Sequence, residues 1–229
     1  MKNKILVIVP SRSAGTGREQ NVERFIQHWL YFTEGHSDLC ISLDEDDQHH
    51  YERYQGVIYT VNPNERLVPK LNTASLRFIA EYEYIAFFGD DHVIKSPWET
   101  AMISHFESTG SVGIAYGNDL LQGERLPTAV CMTSNIIQQL GYMIPPVLLH
   151  MYADNFWVDL GKATDCIRYF PDIIWEHCHP DNGKAQRDAQ YAYAANVAHH
   201  DQHAYQTYIN SELFSNDISK INQLKTKQL

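Results

Sequence analysis

YIAFFGDDHV, residues 84–93, is an apolar run that stops at a glycine followed by two adjacent carboxylates. A strand buried on both faces of a parallel sheet reads as an unbroken apolar stretch, and open α/β sheets collect their polar, ligand-binding residues where such strands end. Upstream, KLNTASLRFIAEY (70–82) carries Leu71, Ala74, Leu76, Phe78 and Ile79 with few breakers and predicts a helix. Before it stand a strand near 57–61 and the apolar run at 39–43, which ends in Asp44, Glu45, Asp46 and Asp47. The opening ILVIVP (5–10) is β-branched and closed by Pro10 and Ser11, so it belongs in the sheet centre. A polar loop then leads to residues 21–31, where Val22, Phe25, Ile26 and Trp29 recur at helical spacing behind Asn21 as N-cap. This β/α alternation predicts an α/β fold with a doubly wound, mostly parallel sheet.

Downstream of Ser96 the signals change. A helix is expected at 98–106 and a strand at 112–116, then an irregular stretch, GNDLLQGERLPT, through residue 128. Helices at 134–140 and 153–162 and a strand at 172–177 follow, and the polar ending SKINQLKTKQL reads as a frayed tail. We divide the chain into a nucleotide-binding half (1–115), an acceptor-binding and catalytic half of the same domain (116–215) and the tail (216–229).

A chain of 229 residues, 44% of them hydrophobic, suits one domain with two lobes. Acidic side chains outnumber basic ones 28 to 18, a net charge of −10, so the overall balance recruits no polyanionic partner. Cys40, Cys131, Cys166 and Cys178 form no CxxC pair and read as reduced thiols of a cytoplasmic protein. The apolar run after Lys2 and Lys4 is too short for a signal peptide, and no stretch approaches the roughly 20 residues of a membrane span, so no integral membrane association is expected.

Four constellations could carry chemistry. Asp90 and Asp91 follow a buried strand, and Gly89 would let the backbone turn sharply there. Adjacent carboxylates repel unless a divalent cation relieves them, and hard oxygen ligands suit Mg²⁺ or Mn²⁺; the plainer reading is a cap or a solvated pair. In Trp175-Glu176-His177-Cys178-His179, strand periodicity puts Trp175, His177 and His179 on one face. One imidazole could complete the metal site, both could be buried hydrogen-bonding groups, and a zinc site using Cys178 is disfavoured because strand neighbours point to opposite faces. At the end of the second strand, Asp44 could accept hydrogen bonds from a nucleobase or ribose. Asp154, among Tyr152, Phe156 and Trp157, could be a general base of raised basicity or a helix N-cap; the aromatics could stack on sugars or fill the core.

Taken in order, ILVIVPSR, LDEDD, KLNTA, YIAFFGDDHV, YADNFW and EHCH resemble the GT-A fold glycosyltransferases, particularly the family-two type, over about residues 4–190. The resemblance implies a GT-A-type sheet with helices on both faces, a smaller acceptor lobe and a nucleotide-sugar donor. It implies that Pro10, Ser11 and Arg12 contact the nucleotide, that Asp44 reads uracil, and that Lys70 and Asn72 lie toward the diphosphate. Asp91 then matches the last carboxylate of the Asp-x-Asp metal motif, with Asp90 near the ribose. His177 or His179 matches the late metal-ligating histidine, and Asp154 the base of inverting members. The motif's first carboxylate falls on Gly89.

The expectation is a transferase that moves a sugar from a nucleotide diphosphate sugar, UDP-linked, with Mn²⁺ or Mg²⁺, to an acceptor hydroxyl with inversion. A glycan, a small molecule, a protein or a modified nucleobase all remain open as acceptor. The alternatives are a sugar-phosphate nucleotidyltransferase, for which Ser13-Ala14-Gly15-Thr16-Gly17-Arg18 offers part of a triphosphate loop, and a non-enzymatic nucleotide-sugar binding module. A Rossmann methyltransferase is disfavoured because no GxGxxG follows the first strand.

Overall fold

The side chains of Ile5–Val9 have no solvent-accessible area, as an unbroken apolar run requires of a strand covered on both faces. They form β1 (Ile5–Pro10). The structure is a computed structural model that describes residues 4–13, 15–63 and 66–226. After β1 come α1 (Arg18–Phe32), β2 (Ser37–Asp44), β3 (Val57–Asn62), α2 (Leu67–Phe78), β4 (Tyr84–Phe87), β5 (His92–Ile94) and α3 (Glu99–Ser108). The second half contributes β6 (Ile114–Asn118), β7 (Val130–Thr133), α4 (Ser134–Leu140), α5 (Ala153–Ala163), β8 (Ile167–His177), α6 (Ala189–Ile209) and α7 (Glu212–Thr226).

The strands make one sheet in the order β3-β2-β1-β4-β7-β6-β8-β5. Pairing is parallel for β1 with β2 and β4, for β2 with β3 and for β6 with β8; β7 runs antiparallel to β4 and β6, and β5 antiparallel to β8. Alternate side chains of β1 feed two cores, as strand geometry demands. Leu6 and Ile8 pack with residues of α2, α4, α5, α6 and α7, whereas Ile5, Val7 and Val9 pack with α1 and α3. Helices on both faces of a mostly parallel sheet are the expected α/β arrangement.

Several local expectations need correction. The first helix starts at Arg18 behind Gly17, not at Asn21, because Gly17 adopts the left-handed conformation that ends the loop. The strand from Tyr84 stops at Phe87, and His92–Ile94 form a separate strand that pairs with β8. β7 and α6 had no counterpart in the sequence reading, and β8 begins five residues earlier than expected, at Ile167. The ending is no frayed tail. Its described part lies in α7, with Ile221 fully buried and Phe214, Ile218 and Leu224 packed against the same core; residues 227–229 lie outside the described residues.

Candidate active site

β1 and β2 end in register, Pro10 beside Ser42, and the Ser11 amide donates to the Ser42 carbonyl at 3.0 Å. This alignment brings the loops after β1, β2 and β4 to one rim. Ser11 Oγ donates to Asp90 Oδ2 at 2.5 Å and meets the Tyr51 hydroxyl at 2.9 Å. Arg12 reaches Asp44 at 2.9 Å and both oxygens of Asp46 at 2.8 Å. From α2, Lys70 lies 2.7 Å from the other oxygen of Asp44, whose side chain is wholly buried. Hydrogen bonds donated to Asp46, then to Asp44, raise the pKa of Arg12, whereas burial lowers that of Lys70 by more than Asp44 restores.

Arg18, in the first turn of α1, closes this rim. Its guanidinium donates to Asp90 at 2.5 Å and, through Nε, to Asp188 at 2.7 Å, and it lies 4.9 Å from the Tyr191 ring centre. Asp188 also caps α6 by accepting from the Gln190 and Tyr191 amides. Burial raises Asp90 to about 6, although Arg18 opposes the shift.

Beside this rim Asp91 meets two imidazoles. Its Oδ1 lies 3.4 Å from His177 Nε2 and 3.5 Å from His92 Nδ1, and its Oδ2 accepts from the Tyr191 hydroxyl at 2.7 Å. The antiparallel register of β5 and β8 sets His92 opposite His177, and the rings stack at 4.4 Å. Burial acting alone would raise Asp91, but His177 and His92 hold it well below the usual carboxylate range. Burial lowers His92; it opposes the charged form of His177 too, but Asp91 outweighs it and that pKa is raised.

The donor set fits a divalent cation. Donors 3.4–3.5 Å apart can share one ion, since two bonds of about 2.1 Å reach across as much as about 4.2 Å. The His92 Nδ1, the nitrogen that faces Asp91, is buried without a hydrogen-bond partner, an arrangement that buried polar atoms avoid unless something else meets them. Among the described residues, Asp91, His92 and His177 are the group that could hold a metal. Cys178 and His179 do not join it. His179 instead caps the short 3-10 turn Pro180–Asn182, its Nδ1 accepting from the Asp181 amide at 3.1 Å.

The expected sharp turn is there, the Gly89 carbonyl accepting the His92 amide at 3.1 Å, but Gly89 does not use a positive φ to make it. What requires glycine is space: a Cβ there would lie 2.7 Å from Asp91 Oδ1 and 3.1 Å from His92 Nδ1.

Asp154 is the second residue of α5 and is not its N-cap, which is Tyr152. It is half-buried, its Oδ1 accepts the adjacent Asn155 amide at 2.9 Å, and burial raises its pKa to about 6. His177 and Asp154 stabilise each other's charged forms electrostatically. Phe156 and Trp157 fill the core, with Trp157 Nε1 on the Met143 carbonyl, while Tyr152 stacks on Tyr205.

Asn72, expected toward the diphosphate, is spent on the backbone: its Oδ1 accepts from Met143 and Ile144 at 2.9 and 3.0 Å, and its Nδ2 donates to Ile144 at 2.8 Å. In the loop that partly resembles a triphosphate cradle, the Ser13 amide donates to Asp47 and the Thr16 amide to the Ser13 carbonyl. Those groups are committed; Ala14 of this loop lies outside the described residues.

Sequence reasoning missed His92, Arg18, Asp188 and Tyr191. Adjacency to the carboxylate pair signals His92, and the first turn after the β1 loop signals Arg18. Nothing local signals the other two, which α6 brings from about 100 residues away or more.

No protein-family model and no curated protein matches the sequence. Solved structures do. A mannosyltransferase of Pyrobaculum calidifontis, PcManGT, in complex with GDP-Man and Mn²⁺ superposes with a TM-score of 0.62 at 13% identity, over 98% of this chain and 70% of that one. TarS of S. aureus gives 0.57 at 13% identity over 75% of this chain; its 1–349 form in complex with UDP gives 0.56 at 14% identity over 96% of this chain and 69% of that one. The chain spans only 36% of the longer TarS chain. The fold is thus the GT-A-like fold of nucleotide-sugar glycosyltransferases.

Proposed function

We propose that the protein is a metal-dependent glycosyltransferase, a hexosyl- or pentosyltransferase, acting in the cytoplasm. It moves a sugar from a nucleotide diphosphate sugar, UDP-linked, to an acceptor hydroxyl with inversion. The observation that carries this reading is the juxtaposition, on one sheet edge, of the Asp91–His177 cluster, the Arg18–Asp90 pair and a carboxylate, Asp154, whose basicity burial has raised. Four free cysteines agree with the compartment. Among the described residues no helix is long and apolar enough to cross a membrane.

In this mechanism Arg12 and Asp44 flank the base and ribose, while Ser11 and Asp90 hold the ribose side. Arg18 and Lys70 approach the diphosphate. Asp91 and His177 would hold Mn²⁺ or Mg²⁺, which supplies positive charge to the departing diphosphate. Asp154 takes the proton of the acceptor hydroxyl as its oxygen attacks the anomeric carbon from the face opposite the leaving group. A base with a pKa of about 6 is ionised at neutral pH yet more basic than an ordinary carboxylate.

The test is thermal unfolding with UDP-, GDP-, CDP- and dTDP-sugars, each with Mn²⁺ or with EDTA. One nucleotide series should raise the midpoint only with metal, because a ligand at 100 times its Kd adds about 2.7 kcal/mol. No shift with any donor would sink the reading. Slow donor hydrolysis would exclude a pure binding module, and pyrophosphate release from a nucleoside triphosphate and sugar phosphate would favour the nucleotidyltransferase.

A further inference from the structure

We propose that His92 is a third protein ligand of the metal, and that Thr128 and Asp119 fix its tautomer so that the site prefers Mn²⁺ to Mg²⁺. The inference rests on the reading of Asp91 and His177 as metal-binding residues.

Space comes first. The volume that a side chain at position 89 would need is taken by Asp91 Oδ1 and His92 Nδ1, 2.7 and 3.1 Å from the Cβ position. The missing side chain at position 89 is therefore what lets the imidazole pack against Asp91.

The tautomer follows from a chain of hydrogen bonds. Asp119 Oδ1 accepts the amides of Leu121, Gln122 and Gly123, and its Oδ2 accepts the Thr128 hydroxyl at 2.8 Å. A hydroxyl has one proton to give. Thr128 Oγ1, having given it to Asp119, can only accept at its 3.2 Å contact with His92 Nε2, so Nε2 carries the hydrogen. A ring bound to metal is neutral, and its Nδ1 lone pair then shares one point with Asp91 Oδ1, 3.5 Å away, while Nδ1 makes no hydrogen bond that a cation would have to displace. A metal-bound histidine whose other nitrogen donates to an anchored oxygen is the usual supporting arrangement.

Two imidazoles and one carboxylate are a poor set for Mg²⁺, which is satisfied by oxygen and water, and a better one for a first-row transition ion. Thr128 and Asp119 touch neither metal nor donor in this scheme; they are positioning residues.

The experiment is titration of the full-length protein with Mn²⁺, followed by the electron paramagnetic resonance of the free ion, with Mg²⁺ as competitor, in the presence and absence of UDP. Wild type should bind Mn²⁺ more tightly than Mg²⁺. His92→Phe, which keeps a ring against His177, should lose Mn²⁺ affinity about 10- to 100-fold and most of the preference. Thr128→Val should lose about 10-fold, and Thr128→Ser should restore it, which a purely structural role for the methyl group would not produce. Gly89→Ala should also weaken Mn²⁺ binding, although it removes no donor atom. Unfolding midpoints in EDTA establish that each variant folds, and the wild-type preference stands as a test even where one does not. Equal wild-type affinity for Mn²⁺ and Mg²⁺, or unchanged Mn²⁺ binding by His92→Phe, would overturn the inference while leaving the metal site in place. No saturable Mn²⁺ binding by wild type, with or without UDP, would overturn both.

Discussion

Around Asp90 the buried carboxylates rest against permanent cations, whereas around Asp91 they do not. Asp44 holds Arg12 and Lys70, and Asp90 and Asp188 share Arg18. Among the described residues neither Asp91 nor Asp154 pairs with a lysine or arginine; Asp91 meets two imidazoles and a tyrosine hydroxyl. The two neighbouring regions thus solve charge burial differently. One is internally balanced, so that an arriving anion can take over the guanidinium and ammonium groups. The other has no lysine or arginine in contact and leans on imidazoles, His177 above all, so a bound divalent cation would add the permanent charge that it has no ion pair to supply. Buried charges persist only when paired or metal-bound, so the contrast is itself an argument for two ligands, one anionic and one cationic.

The largest expected effect lies on the side without cations. Asp154→Asn should lower kcat by about 10²- to 10⁴-fold with little change in donor KM, and an unchanged kcat would return Asp154 to a structural role. In wild type, kcat should rise with pH through about 6 and then level. The stability effect has the opposite sense. The folded carboxylate binds its proton more tightly than the unfolded one, so its ionisation is a cost that is absent below about pH 4 and grows as pH rises through the folded value. Asp154→Asn should therefore unfold later than wild type at pH 8 in EDTA, by about 1–2 kcal/mol, and equally at pH 4.

A smaller effect tests the balanced side. Arg18→Met leaves the buried Asp90 and the half-buried Asp188 without their cation and should cost about 3 kcal/mol of stability in urea unfolding, together with about tenfold weaker donor binding. Mn²⁺ affinity in the absence of nucleotide should change less than donor binding, since Arg18 makes no ion pair with Asp91 and acts on it only through space; a loss of affinity there would merge the two regions into one electrostatic unit. The smallest effect on the reaction belongs to Asn72→Ala. Removing the acceptor of two amides and the donor to one carbonyl should cost about 2 kcal/mol of stability and leave donor KM unchanged, whereas a raised KM would restore Asn72 to the diphosphate.

Much of the first half was legible because β1, β2 and β4 are buried almost throughout and declare themselves as apolar runs. β7 was not, since Val130–Thr133 is four residues inserted antiparallel between distant strands. β8 hid because its first residues alternate between half-buried and exposed and are interrupted near Pro171. α6 is rich in alanine, histidine and tyrosine and turns few large apolar residues inward; its buried side chains are Asp201, Tyr205 and Tyr208. In α7 the helical spacing of Phe214, Ile218, Ile221 and Leu224 was present, but a reading that began at Ser219 cut it in half.

The sequence by itself determined that carboxylates gather at the ends of buried strands, because an apolar run has to be covered and the polar residues after it have to emerge at an edge. That was enough to bring Ser11, Arg12, Asp44, Asp90 and Asp91 to one side of the sheet. Only the tertiary structure decided which side chains meet them. The β5–β8 register sets His92 against His177 across 85 residues, Arg18 takes Asp90 and Asp188 together, and Asn72 goes to the backbone of Met143 and Ile144. Local sequence fixes where a backbone turns, but long-range strand pairing and helix docking choose the partners, and a site built from such pairings has no local signature.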